Sequence, residues 1–257
     1  MGASIAHDFE RDLTDKLKSS GRSSTTDSDP TYPDRNSEDY FEWIDLLTAV
    51  DRATDRFTMI EVGAGYGRWI ANAAAALRRY MRRRDVPQTL IGIEASGRRF
   101  EMMERNCDDN GIGQSERQLI HAACTPTDKP SALLPLNDDY GASLIPDSAI
   151  AVGGLVEETP TIRLERLLTE PVDFIDMDIQ GAEYGVIRAA IEKLDAFVKM
   201  IHVGTHHPTI DARLAAIFHG HGWRPRHIFT NRAINQTPYG EFQFIDGISS
   251  WENPRFL

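Results

Sequence analysis

The stretch MIEVGAGYGRWI, residues 59 to 70, limits what this chain can fold into more than any other. Gly63, Gly65 and Gly67 fall within five positions, directly after an apolar run and directly before an alanine-rich segment of helical spacing. Glycine takes left-handed backbone without strain and lets a ligand approach where a Cβ would obstruct it. The helix that follows such a turn presents free N–H groups toward the same point. A strand, a tight turn and a helix in this order form the opening half of a βαβ unit.

The rest of the chain repeats the alternation. FTMIEVG reads as a buried strand and RWIANAAAALRRYM as a helix. TLIGIEA is a second strand, GRRFEMMERNCDDN a helix ending at Gly111, and RQLIHAAC a third strand. VDFIDMDI, GAEYGVIRAAIEKL, VKMIHVGTH and TIDARLAAIFHGHG continue it as strand, helix, strand and helix, and the tail RPRHIFT to GEFQFIDGISSW closes as an antiparallel hairpin around NRAINQTPYG. Strands alternating with helices imply right-handed crossovers. The expected fold is therefore an α/β sheet, mostly parallel, with helices on both faces and an antiparallel C-terminal hairpin. In such a sheet ligands bind beyond the carboxyl ends of the strands. The segments to inspect are 61–67, 94–96, 121–124, 176–183 and 204–207.

Residues 1–36 carry few apolar side chains and cannot offset the entropy of ordering, so a mobile arm is expected there, with a lid over bound substrate as its alternative use. Residues 37–257 form a single domain, opened by a helix that Ser37 caps and that Tyr40, Phe41, Ile44, Leu47 and Val50 dock at helical spacing. A net charge of -11 argues against nucleic acid as a partner. Arg78, Arg79, Arg82, Arg83 and Arg84 read as a solvated helix end that complements the dipole. Cys107 and Cys124 have no CxxC spacing, which fits a reducing cytoplasm, and no apolar stretch reaches the roughly 18 residues of a spanning helix. No membrane partner is expected, and a homodimer is left open.

Glu94 stands at the end of the second strand, where a carboxylate can accept both hydroxyls of a ribose. The ligand therefore contains a nucleoside. A dinucleotide turn needs G-x-G-x-x-G, and here the third glycine arrives one residue early. Glu61 suits an ammonium better than a pyrophosphate. Both observations favour S-adenosylmethionine over a nicotinamide dinucleotide.

EVGAGYG followed by GIEAS resembles the first two motifs of class I S-adenosylmethionine-dependent methyltransferases, whose sheet is Rossmann-like. TPTIRLERLLTEPVDFIDMDIQGAEYGVIRAA resembles the FkbM-type segment, in which T-x-x-L-D-x-L-L precedes D-x-I-K-I-D-x-E-G-A-E. The resemblance spans roughly residues 55 to 230. Asp178, Gly181, Ala182 and Glu183 agree with it, whereas Asp176 replaces the usual lysine and Gln180 a common glutamate. It implies an O-methyltransferase acting on a hydroxyl of a sugar or secondary metabolite, with a small-molecule or glycan acceptor. The alternative is a drifted S-adenosylmethionine-binding or interaction protein.

Cofactor contacts are assigned to Glu61, Gly63, Ala64, Gly65, Tyr66 and Gly67, to Glu94, Ala95 and Ser96, to Ala122 and to Asp176, with Ser143 added by resemblance only. A hydroxyl is barely ionised at neutral pH, so a base or a metal must help remove its proton. Asp178, His206 and His207 follow neighbouring strands and are assigned to that role, and Gln180 and Glu183 to the substrate. His202 reads as a bonded core residue, and His219 and His221 as solvated. A divalent metal such as magnesium is admissible among Asp176, Asp178, His206 and His207 but not expected, because no tight ligand spacing such as HExxH is present.

Overall fold

The computed structural model describes residues 37–80, 86–135, 143–144 and 156–257. The N-terminal arm, Arg82 to Arg84 and Tyr140 lie outside the described residues. Helix α1 (Glu38–Arg52) precedes strand β1 (Phe57–Val62), helix α2 (Arg68–Ala75) and strand β2 (Gln88–Glu94). Helix α3 (Gly97–Asp109) leads to β3 (Arg117–His121), then to β4 (Ala123–Cys124), β5 (Ser131–Pro135) and β6 (Val156–Ile162). The second half runs β7 (Phe174–Met177), α4 (Glu183–Phe197), β8 (Met200–Thr205), α5 (Pro208–Gly220) and β9 (Arg224–Phe229). It ends with β10 (Ile234–Thr237), β11 (Gly240–Gln243) and β12 (Gly247–Glu252).

The main sheet has seven strands in the order β3-β2-β1-β7-β8-β12-β9. The first five pair in parallel, and β12 runs antiparallel between β8 and β9. From β1 the chain moves outward through β2 and β3, then returns to add β7 on the other side of β1. That reversal is the switch point at which an open parallel sheet leaves a crevice.

Alternation along the strands divides the core in two. Ile60, Val62, Ile91, Ile93, Ile175, Met177, Ile201 and Val203 face α4 and α5, packing with Val186, Ile187, Leu214 and Phe218. Phe57, Met59, Leu90, Phe174 and Met200 face α1 to α3, packing with Leu46, Ile70 and Met103. Helices thus cover both faces, as the alternation of the sequence implied. Gly92, on the second face, leaves room for helix α3: a Cβ there would stand 2.5 Å from Met103 Sδ.

Local expectations are corrected or refined at five points. RQLIHAAC does not form one strand: β3 stops at His121, and Ala123–Cys124 pair instead with Thr161–Ile162 of β6 in a small separate sheet. The antiparallel C-terminal hairpin is present as β9 and β12, with a second hairpin, β10 and β11, nested between them. Helix α1 is rotated from its apolar reading, with Leu47 exposed and Asp45 fully buried. The partners of Asp45 explain the rotation: His202 Nδ1 at 2.8 Å, Arg226 Nε at 2.9 Å and His227 Nδ1 at 3.1 Å. His221 is likewise paired rather than solvated, its Nδ1 2.8 Å from Asp195 Oδ2. Arg78 is no free helix end either, for it donates to the carbonyls of Asn110 and Gly111.

Candidate active site

Gly63, Gly65 and Gly67 have φ of +81°, +56° and +74°, so all three adopt the left-handed backbone that the turn requires. The N–H groups of Gly63 and Ala64 both donate to the Ile93 carbonyl, which ties the turn to the end of β2. Gly67 is the N-cap of α2, where a Cβ would stand 2.8 Å from Met103 Cγ.

Beyond these strand ends lies a cleft of about 680 Å3, its open mouth included. Gly63, Gly65, Glu94, Ala95 and Ala122 line it together with Asp178, Gln180 and Ala182. Ile93, Ala123, Cys124, Leu134, Leu144 and Ile179 provide apolar wall, and Arg99 a cation. The Cys124 thiol is pushed up to about 12 by burial and offers no thiolate.

Glu94 is buried and accepts from the Gly65 N–H at 2.7 Å and from the Ser96 N–H at 2.8 Å. Burial raises its carboxyl above the usual range, and the backbone donors partly offset that. Each carboxylate oxygen has further lone pairs, so Glu94 keeps acceptor capacity for a ligand.

Glu61 is placed elsewhere. It lies beneath the turn, 3% exposed, and accepts from the N–H groups of Trp69 and Ile70, satisfying two of the free donors at the N-terminus of α2. Parallel registers set it beside Asp176, and Asp176 beside His202. Burial and the neighbouring Asp176 raise the Glu61 carboxyl, and burial also raises Asp176, which shares a hydrogen bond with Glu42 of α1. Neither Glu61 nor Asp176 lines the cleft. Tyr66 is buried, and its carbonyl accepts from Asn106, while Ser96 is the N-cap of α3. Ser143 donates its hydroxyl to the Gln180 carbonyl at 2.7 Å, next to the cleft.

At the other end, Asp178, Glu183 and His206 meet. His206 Nδ1 lies 3.0 Å from Glu183 Oε1, and its Nε2 lies 3.2 Å from Asp178 Oδ1 and 3.9 Å from Asp246 Oδ1. Glu183 is fully buried and also accepts from the Gly181 N–H. Against the opposing pull of burial, the Glu183 bond and the carboxylates of Asp178 and Asp246 push the imidazole up to about 9. Burial raises Asp178, the nearby His206 lowers it, and Gln180 donates to its Oδ1 at 3.0 Å. Gln180 holds this position from a left-handed backbone, φ +53°, so the chain folds back over the strand end.

His207 does not join the group. It is exposed and caps α5, its Nδ1 accepting from the Thr209 N–H. His202 is buried against Asp45, as its place in an apolar strand suggested.

Arg99 and Asp246 were missed. Arg99 had a readable signal, a cation in the first turn of a helix where the macrodipole disfavours it. Asp246 had none, because only the return of β12 beside β8 brings it to His206.

Comparisons with known proteins follow this geometry. Residues 61–225 match the methyltransferase FkbM domain. A protein of Jannaschia sp. (strain CCS1), described as a candidate methyltransferase, is 29% identical over 228 residues, covering 84% of this chain and 79% of that protein. The methyltransferase FkbM of Methylobacillus flagellatus KT superposes with a TM-score of 0.49 at 13% identity, over 78% of this chain and only 44% of that one. Precorrin-6y C5,15-methyltransferase of Geobacter metallireducens GS-15 gives 0.46 at 14% identity, over 88% and 94%. The family match takes in the glycine turn, Glu94 and the Asp178–Glu183–His206 group together, and on that match the chain belongs to the FkbM methyltransferase domain family.

Proposed function

We propose that the protein is an S-adenosylmethionine-dependent O-methyltransferase acting on a hydroxyl of a sugar or other small secondary metabolite. The observation that carries this reading is one cleft lined by the left-handed glycine turn, Glu94 and Asp178 together. The donor set suits the cofactor: Glu94 faces the cleft as a buried acceptor for ribose hydroxyls, and the alanine and leucine walls suit a flat base. No basic cradle for a pyrophosphate accompanies the turn among the described residues, Arg99 being the one cation that lines the cleft.

The bound cofactor supplies an electrophilic methyl group on a sulfonium. What remains for the chain is to position an oxygen and take its proton. Asp178 has the place for both, since its side chain is 46% exposed and lines the cleft. His206, held from behind by Glu183, fixes the carboxylate as an ion-pair partner. The histidine is thus a positioning residue in this reading, and the carboxylate is the group that meets the hydroxyl.

Glu94→Ala is expected to weaken S-adenosylhomocysteine by roughly 10- to 100-fold, the equivalent of about 1.5–3 kcal/mol for hydrogen bonds to a charged group. Calorimetric titration of wild type and variant measures this. Equal affinities would remove Glu94 from the ribose. Transfer of a labelled methyl group to hydroxyl-bearing acceptors, with the product bond identified as C–O, tests the reaction itself; transfer only to nitrogen or carbon would overturn the O-methyl assignment.

A further inference from the structure

The group around His206 has more ligand capacity than ion pairing uses. Among the described residues His206 Nε2 is shielded from solvent and makes no hydrogen bond, although Asp178 Oδ1 stands only 3.2 Å away. The carboxylate lies near the nitrogen but off the line along which an N–H would donate. Glu183, with no exposed side-chain surface, has a second oxygen, Oε2, that also makes no hydrogen bond. Donor atoms of Asp178, Glu183 and His206 all lie within 4.8 Å of one another.

The close but unbonded pair of Nε2 and Asp178 Oδ1 is the feature a cation would account for. Two ligands held about 2.1 Å from one ion are separated by about 3.0 Å at a right angle and about 3.4 Å at the tetrahedral angle. The 3.2 Å separation of Nε2 and Oδ1 falls between these values. With an ion between them, the carboxylate oxygen must lie well off the nitrogen's lone-pair axis, as it does. Asp246 Oδ1 lies 3.9 Å from the same nitrogen, on a side chain 46% exposed. Behind the ring, the Nδ1–Glu183 contact has the arrangement by which a carboxylate fixes the tautomer and orientation of a metal-bound histidine.

We infer that His206 Nε2, Asp178 and Asp246 form a divalent-cation site beside the cleft, with Glu183 as the positioning residue behind it. One imidazole with two carboxylates suits a first-row transition ion such as manganese better than magnesium or calcium, which prefer an all-oxygen shell. Three protein ligands leave coordination positions open. Because Asp178 also lines the cleft, those positions can take the oxygen of the acceptor hydroxyl, and this last clause rests on the methyl-transfer reading above.

The test uses the full chain, stripped with chelator and titrated with manganese alone. Free manganese is followed by electron paramagnetic resonance, and S-adenosylhomocysteine binding is measured in the same samples. Wild type is expected to remove manganese from solution, with nitrogen hyperfine coupling from the bound imidazole. Glu183→Gln is expected to weaken binding about 10- to 100-fold. His206→Ala should abolish it, and Asp246→Asn, a change at a half-exposed side chain, should weaken it with an unchanged thermal melt. Manganese that stays free beside wild type would overturn the site, as would binding undiminished in both Asp246→Asn and Glu183→Gln. Manganese bound without S-adenosylhomocysteine would leave the site standing and sink the methyl-transfer reading. The converse result would sink the site alone.

Discussion

Gly63→Ala is expected to destabilise the protein by about 3–5 kcal/mol and to eliminate S-adenosylhomocysteine binding. Two costs add. The residue sits at φ +81°, where a side chain costs roughly 1–2 kcal/mol. The new methyl would also overlap the Asp178 carbonyl oxygen and lie 2.9 Å from its carbonyl carbon. That neighbour cannot give way, because the Asp178 N–H donates to the Val62 carbonyl and fixes β7 against the end of β1. Close approach of two backbones, and not a bound ligand alone, is therefore what requires a glycine here.

Gly181→Ala supplies the control. Its φ is +107°, but a Cβ there would meet nothing among the described residues within 4 Å, so among them only the conformational cost applies. Urea denaturation of the two variants should separate them by several kcal/mol in total effect. Similar losses at both positions would mean that the overlap at Gly63 is relieved by movement of β7, and that the turn is softer than its contacts suggest.

Asp45→Ala should cost about 3–5 kcal/mol, the usual penalty for removing one member of a buried charged group. The carboxylate has no exposed surface and meets His202 of β8 and both Arg226 and His227 of β9. Removing it strands three donors at the seam where α1 docks on the sheet. For a domain of this size, that corresponds to a fall in melting temperature of roughly 6–20 °C.

The pH dependence has a definite sign. Burial alone would raise the Asp45 carboxyl, but its hydrogen bonds with His202 and His227 hold it far below the ordinary range. A depressed folded-state value contributes stability that is present above the unfolded value, near 3.9, and lost as pH falls toward the folded one. The stability gap between wild type and Asp45→Ala should therefore be constant around neutrality and narrow below about pH 4. Urea titrations across that range read it directly, and a gap that widens on acidification would contradict the ion-pair account.

Asp45 also marks where sequence reasoning reached its limit. Tyr40, Phe41, Ile44, Leu47 and Val50 recur at helical spacing and located α1 correctly, yet the face that docks includes Asp45 and leaves Leu47 exposed. Periodicity weighs each side chain by its own hydrophobicity. It cannot register that a carboxylate will be met by an arginine and two histidines lying more than 150 residues further on.

The cleft divides in the same way. The glycine turn and Glu94 were legible because the chemistry there is local: a left-handed turn, a strand end and a helix N-terminus all lie within one βαβ unit. Asp178 and Glu183 were legible through a segment that resembles a known family. Glu61 and Asp176 carried the right residue types near the right strand ends, but alternation along β1 and β7 turns both under α1 and α2 and away from the cleft. His207 follows the same strand as His206, and one residue of offset sends its ring to the helix cap instead.

The alternation of the parallel main-sheet strands with helices on both faces and the place of the glycine turn were thus determined by the sequence alone, because each follows from short-range periodicity and backbone chemistry. The tertiary structure decided which carboxylates face the cleft and which serve as buried caps. It also decided that β12 would insert between β8 and β9 and carry Asp246 toward His206. These outcomes depend on long-range strand pairing, in which a side chain's partner is fixed by the register of another strand and leaves no trace in its own neighbours.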